Sequence, residues 1–288
     1  MIGQLVITFR EALEALLLVT ILVAYLKKTG REQFVKSAIY GVVAALVAGG
    51  IIAVTVMVVY GELGEGSKEL FEGAASLLAV AVLTYMVYWM ATKGKEIKGE
   101  IERKVESSRG SLAIAAAAFV FVVREVIETI LFLIPFAARD AVGTAVGAVT
   151  GIGLALAISY GISEAGMRFD LKKFFYYSSV LLILIAGGLA GYGVHELIEY
   201  AEEKDIELGW LASPAYDLGI DESSPFHHNG IIGSVFAVLF GYTVKAEWLR
   251  LIVHAAYLII ALPAIVRIYS GTPESGEHVR DAKVERVT

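Results

Sequence analysis

Seven stretches of this chain are long enough and apolar enough to cross a bilayer as helices: residues 2–26, 37–60, 70–92, 111–138, 141–163, 177–199 and 248–269. At 1.5 Å per residue, about 20 residues traverse the roughly 30 Å of hydrocarbon in a membrane. The composition agrees. The chain is 57% hydrophobic and 19% charged, against about 45–50% and 25% for a soluble domain. The fold class that follows is an all-α membrane protein with seven transmembrane helices. The transmembrane domain covers residues 1–270, with a long loop at 200–247, and a polar tail at 271–288 reads as flexible. The first run carries charges at its centre and has no small-residue cleavage site, so it reads as a retained span rather than a signal peptide.

Basic residues in short loops set orientation. Lys27, Lys28, Arg31 and Lys36 follow span 1; Lys93, Lys95, Lys98, Arg103, Lys104 and Arg109 follow span 3; Arg168, Lys172 and Lys173 follow span 5. These loops are expected in the cytoplasm. The alternate connections are acidic, so the N-terminus is expected outside and the C-terminus inside a multi-pass protein of the cytoplasmic membrane.

Two of the spans are not purely apolar. "TFREALEALLL" at 8–18 and "VVREVIETILF" at 122–132 each place an arginine and two glutamates in an apolar run. The motifs lie 114 residues apart, in spans 1 and 4, which run in opposite directions. That is the mark of an inverted repeat, with spans 1–3 (about 1–92) and 4–6 (about 111–199) as halves and span 7 added, and such folds place their substrate site near the midplane. Gly143, Gly147 and Gly151, and Gly187 with Gly191, have the four-residue spacing that lets helices approach closely in lipid. Segment 231–242 is too short to span and reads as re-entrant or interfacial.

Glu11 and Glu14, like Glu125 and Glu128, are three apart and so share a helix face. Six charged residues at helix centres cost about 15–21 kcal/mol unless partnered or wetted. Arg10 and Arg124 can each bridge their own glutamates, but four carboxylates against two guanidiniums leave two negative charges over. An uncompensated buried charge costs far more than a buried pair. Protons or a cation must meet the excess. With no cysteine in the chain, a carboxylate cluster suits a hard ion: calcium, magnesium, manganese or iron, with ferric iron the hardest common candidate.

The paired motifs resemble those of the high-affinity iron permease family of fungi and bacteria, which has seven spans with Arg-Glu-Gly-x-Glu in the first and fourth. The chain is also similar to that family around "GVHELIE" at 193–199 and "FGY" at 240–242. The resemblance implies iron uptake, with Glu11, Glu14, Glu125 and Glu128 as the iron path and Arg10 and Arg124 as supporting ion pairs. It implies an extracytoplasmic oxidase or iron-delivery protein as partner, Fe3+ ahead of Fe2+ as cargo, and no organic cofactor or enzymatic activity. The family's central glycine is Ala12 and Val126 here, and if that glycine serves close approach to the metal, Val126 reshapes the site. A homo-oligomer in the lipid bilayer is compatible with the sequence, and nucleic acid is not an expected partner.

At the outer end of span 6, His195, Glu196 and Glu199 fall within one turn of one another, and Glu69 with Glu72 begin span 3 on the same side. Imidazole with carboxylate makes an outer metal site. Asp217, Asp221, Glu222, His227 and His228 read as a solvated acidic loop, His254 as a satisfied interior histidine, and Tyr25, Tyr60, Tyr88 and Trp89 as interfacial aromatics. Two other functions fit the residues: a carrier or channel for another divalent ion such as manganese or lead, and a membrane di-iron oxidoreductase. The latter normally needs histidine in a Glu-x-x-His arrangement, where this chain has glutamate.

Overall fold

The computed structural model describes residues 2–164, 170–228, 230 and 232–270. The expected tail at 271–288 and Arg168 lie outside the described residues. Each of the seven apolar runs falls on one long helix: α1 (Ile2–Lys28), α2 (Val35–Gly61), α3 (Glu65–Lys93), and then, after a short amphipathic helix α4 (Ile97–Ser107), α5 (Ser111–Arg139), α6 (Ala141–Glu164), α7 (Leu171–Glu203) and finally α9 (Trp248–Ser270). Between α7 and α9, strand β1 (Pro214–Asp217), helix α8 (Gly233–Phe240) and strand β2 (Lys245–Glu247) organise the long loop. The strands pair antiparallel, with Tyr216 opposite Ala246 and Asp217 opposite Lys245. Helix α8 matches the expected short segment and packs on α7 and α1.

Among the described residues, five helices are long and apolar enough to cross a membrane, namely α2, α3, α6, α7 and α9, while α1 and α5 carry the charged motifs. Their outward faces are apolar as well. Tyr40, Ile51 and Val54 of α2, Val142 and Val149 of α6, and Ile259 and Ile260 of α9 are all exposed. Water would not tolerate so large a continuous apolar surface, and lipid does.

Local chemistry fixes the helix ends. Lys27 and Lys28 occupy the last turn of α1, where they meet the negative end of the helix dipole, and Gly30 follows at φ +69°. Asp140 accepts the Gly143 N–H at 2.8 Å to start α6, and Asp170 accepts from Lys173 N to start α7.

Helices α3 and α7 pack along each other at the centre, with α9 against α7. Around them α1 lies on α6 and on α5, and α2 lies on α5. A close approach to α5 is made by α2, whose buried residues are Ala38, Gly41, Ala45 and Gly49. A Cβ on Gly41 would stand 2.1 Å from the Ala115 carbonyl oxygen of α5, and one on Gly49 would stand 2.0 Å from Val126 Cγ1. The small-residue stripe that matters most is thus in α2, ahead of the α6 and α7 glycines singled out from sequence. On α6, Gly151 does lie against the α1 backbone at Leu5 and Phe9, whereas Gly143 meets its own cap, Asp140. Val126, at the position of the family's central glycine in the second motif, seats in the gap at Gly49 of α2. Replacing Gly41 by valine is expected to force α2 off α5 and cost about 1–3 kcal/mol, read as a lowered thermal midpoint of the purified protein.

Helix α4 was not anticipated from sequence. Its Ile101 and Val105 are fully buried against Leu22 and Leu26 of α1, Ala38 of α2 and Ile114 of α5. Arg31 ties it down by donating to the carbonyls of Val105, at 2.9 Å, and Ser108.

Candidate metal centre

The twin motifs meet. Helices α1 and α5 cross so that one carboxylate oxygen each from Glu11, Glu14 and Glu125 lie within 4.8 Å of one another, all three side chains being buried. Among the described residues this is the one group of three or more acidic, histidine or cysteine side chains so gathered. Each arginine also stays with its own helix. Arg10, wholly buried, holds Glu11 Oε1 and Glu14 Oε1 at 2.7 Å each through its two terminal nitrogens, and Nη1 also lies 3.3 Å from Met86 Sδ of α3. Arg124 Nε donates to Glu128 Oε1 at 2.8 Å and lies 3.9 Å from Glu125 Oε1.

These pairings do not exhaust the acids. Oε2 of Glu11, of Glu125 and of Glu128 is buried without a hydrogen-bond partner. A buried carboxylate oxygen left bare costs several kcal/mol, and two of them, on Glu11 and Glu125, belong to the gathered acids, which describes a set of oxygen ligands for a positive ion. Chemically the arrangement offers hard oxygen ligands, no sulfur and two fixed counter-charges.

The two halves are not equivalent in their surroundings. Arg10 is sealed in protein, whereas Arg124 is 46% exposed and lies over the Trp89 ring, 5.0 Å from its centroid. Trp89 is therefore a partner of the Arg124 guanidinium as well as an aromatic near a span end. Glu14, Arg124 and Glu125 border a cavity of about 600 Å³ that runs past Leu18, Ile21, Val120 and Phe121 to Lys98 and Glu100 of α4. On the opposite side, one helical turn before Glu11 and one turn after Glu128, Ile7 and Phe132 are both fully buried with Leu83, Ala186 and Leu189. The acids are thus open at one end and sealed at the other.

Beyond that seal lies a second cavity of about 850 Å³, lined by Glu72, His195, Glu196, Glu199, His227, His228 and Glu247 among others. Four of the five outer residues named from sequence line it; Glu69 does not. Glu72 is engaged by two hydroxyls, Tyr60 at 2.5 Å and Tyr192, so Tyr60 is a hydrogen-bond partner here. His195 stands between two acids, with Nε2 at 3.4 Å from Glu199 and Nδ1 at 3.2 Å from Glu247. Sequence reasoning missed Glu247, which carries no motif and stands at the end of β2, immediately before α9 packs along α7. Burial raises its carboxyl's proton affinity, but His195, its own backbone N–H and Arg250 outweigh that and hold it below the usual carboxylate range.

The acidic loop is partly folded in. Asp221 is exposed and caps a turn through Ser223, but His227 is buried and stacks on His228 at 4.0 Å. Burial, then His227, Arg139, Arg250 and His195, push His228 down to about 4. It is uncharged at neutral pH. His254 is satisfied by the Gly187 carbonyl at 2.8 Å, as expected of an interior histidine.

Comparison with known proteins bears on what this arrangement is for. The chain is 52% identical over 277 residues, 96% of its length and 99% of the relative's, to a protein of Archaeoglobus fulgidus called only an uncharacterized protein. It is 32% identical to the ferrous iron permease EfeU of Yersinia pestis, covering 89% of this chain and 90% of that one, and 30% identical to EfeU of Escherichia coli, covering 90% and 93%. No solved structure matches. The profile of the Iron permease FTR1 family matches residues 1–269. The two EfeU relatives are named as permeases rather than enzymes, and the chain belongs to the iron permease FTR1 family.

Proposed function

We propose that this chain carries iron into the cell across the cytoplasmic membrane through a cage formed by Glu11, Glu14 and Glu125, with Glu128 as a fourth acid and Arg10 and Arg124 as counter-charges. The observation that carries the reading is the gathering of three buried carboxylates from the two motif helices within 4.8 Å. Four carboxylates less two guanidiniums give a net charge of −2. A divalent ion cancels it and a trivalent ion turns it positive. The relatives in Yersinia and Escherichia are named for ferrous iron, so both arguments move the preferred cargo from Fe3+ to Fe2+. Uptake of radiolabelled ferrous iron into proteoliposomes, competed by ferric, manganous and lead ions, tests this. Ferrous iron is expected to compete best, and equal or better competition by manganese or lead would assign the cage to another ion.

We read α1, α2, α3, α5, α6, α7 and α9 as seven spans, with α1–α3 and α5–α7 as inverted halves. The packing supports this. Exchanging the halves turns the α1–α6 contact into the α5–α2 contact and leaves α3–α7 and α1–α5 as they are. With the basic loops taken as cytoplasmic, the cavity at Lys98 and Glu100 opens inward and the Ile7–Phe132 seal lies on the outer side, an inward-open state in this reading. Transport would follow by rocking of one half against the other. The chain has no cysteine of its own, so single cysteines report access cleanly. Leu18→Cys is expected to react with an impermeant maleimide from the cytoplasmic face only, and Ile7→Cys from neither. Labelling of Leu18→Cys from outside alone would reverse the assignment.

A further inference from the structure

Outside the cage, the feature with the most unexplained chemistry is His195. It sits on α7 between the exposed Glu199, one turn along the same helix, and Glu247, which is only 9% exposed at the end of β2. The ring Nδ1 lies 3.2 Å from Glu247 Oε1 yet makes no hydrogen bond, and the other oxygen of that carboxylate, Oε2, is also buried without one. Two orphaned polar atoms side by side are costly in a finished structural contact. They are what remains when a ring is held for a third party.

We propose that His195 and Glu199 form a receiving site for a divalent transition-metal ion in the outer cavity, with Glu247 as its positioning residue. This extends the transport reading, which supplies the class of ion. Ligand atoms about 2.0–2.2 Å from such an ion lie roughly 3–3.5 Å apart at angles between a right angle and a tetrahedral one. His195 Nε2 and Glu199 Oε1 are 3.4 Å apart. The second ring nitrogen facing a carboxylate completes the arrangement by which metal-bound histidines are oriented and made more basic. A small rotation of the ring as Nε2 takes the ion aligns Nδ1–H with Glu247 Oε1, 3.2 Å away, and satisfies the orphaned Nδ1. The pair supplies two protein ligands, and water in the 850 Å³ cavity fills the other positions. Such incomplete coordination suits a site that must release its ion inward.

The test separates this site from the cage. In the full chain carrying Glu14→Gln and Glu125→Gln, anaerobic titration with ferrous iron alone, followed by metal analysis after gel filtration, should still find one ion per chain. His195→Gln in that background should abolish it. Glu247→Ala should weaken it about 10–100-fold, and Glu247→Gln, which keeps an acceptor for Nδ1–H, should fall between. Imidazole-nitrogen coupling in the magnetic resonance spectrum of bound cobalt(II) should vanish with His195→Gln, which a merely structural role would not produce. Full occupancy in the His195→Gln protein, or no ion in the cage-null protein that elutes as native, overturns the site. Neither result touches the cage, whose own failure would be normal uptake by Glu14→Gln/Glu125→Gln.

Discussion

Glutamine in place of Glu14 or Glu125 is expected to reduce iron uptake to background while the protein still inserts and elutes as a folded species. The substitution keeps the shape and one acceptor oxygen but removes a charge, so each variant lowers the net charge of the cage from −2 to −1 and deletes one hard ligand. Loss of a partner outside the coordination sphere already costs about 10–100-fold in metal affinity, and loss of a ligand should exceed that. The three gathered acids are not expected to behave like the fourth. Glu128, paired with Arg124 at 2.8 Å and outside the group within 4.8 Å, should lose transport on mutation to glutamine but retain more of the resting ferrous-ion affinity than Glu14→Gln. Measuring uptake and equilibrium binding on the same preparations checks both. Uptake at normal rates in Glu14→Gln and Glu125→Gln would remove the cage from the ion's path.

The largest effect on stability should come from Arg10. It is wholly enclosed and neutralises two buried carboxylates at 2.7 Å, so Arg10→Met leaves two unopposed negative charges in a dry interior. Breaking a buried ion pair from one side costs about 3–5 kcal/mol. Arg10→Lys should recover little, because a single ammonium on a flexible stem does not reproduce the fork that meets both acids. Adding Glu11→Gln and Glu14→Gln to Arg10→Met should restore much of the loss, since the charges then disappear together. Arg124→Met should cost far less, its guanidinium being 46% exposed to the cavity and screened there. Thermal midpoints of the detergent-solubilised proteins should therefore fall in the order Arg10→Met well below Arg124→Met. Equal shifts would show that the two arginines sit in equivalent surroundings.

That inequality was not legible in the sequence, because the two motifs are nearly identical strings and what distinguishes them is the packing around each. The helices themselves were legible, since continuous apolar runs of 22 residues or more (248–269 the shortest) admit few other structures in lipid. The convergence of the glutamates was also legible, because charge in such runs must find a partner. Helix α4 escaped notice because its lysines and glutamates dominate the composition, although Ile97, Ile101 and Val105 already stand one turn apart. Its amphipathic face becomes meaningful only once α1, α2 and α5 offer a surface for it. Glu247 could not have been found, because it lies 52 positions from His195 across the long connection, and only the packing of β2 and α9 in the fold closes that distance. The second partner of Trp89 was hidden for a related reason: an aromatic near the end of a span serves interface and cation alike, and its contact with Arg124 arises only in the packed fold.

The unequal wrapping of Arg10 and Arg124 carries one more consequence. If two inverted halves trade conformations, the opposite end of the working cycle is already drawn in this molecule, with Arg124 swallowed by its neighbours and Arg10 brought to the light on the other face. A picture of that second state can be built by threading each half onto the path of its twin, and it forecasts which guanidinium will be solvent-shielded at every stage of the stroke.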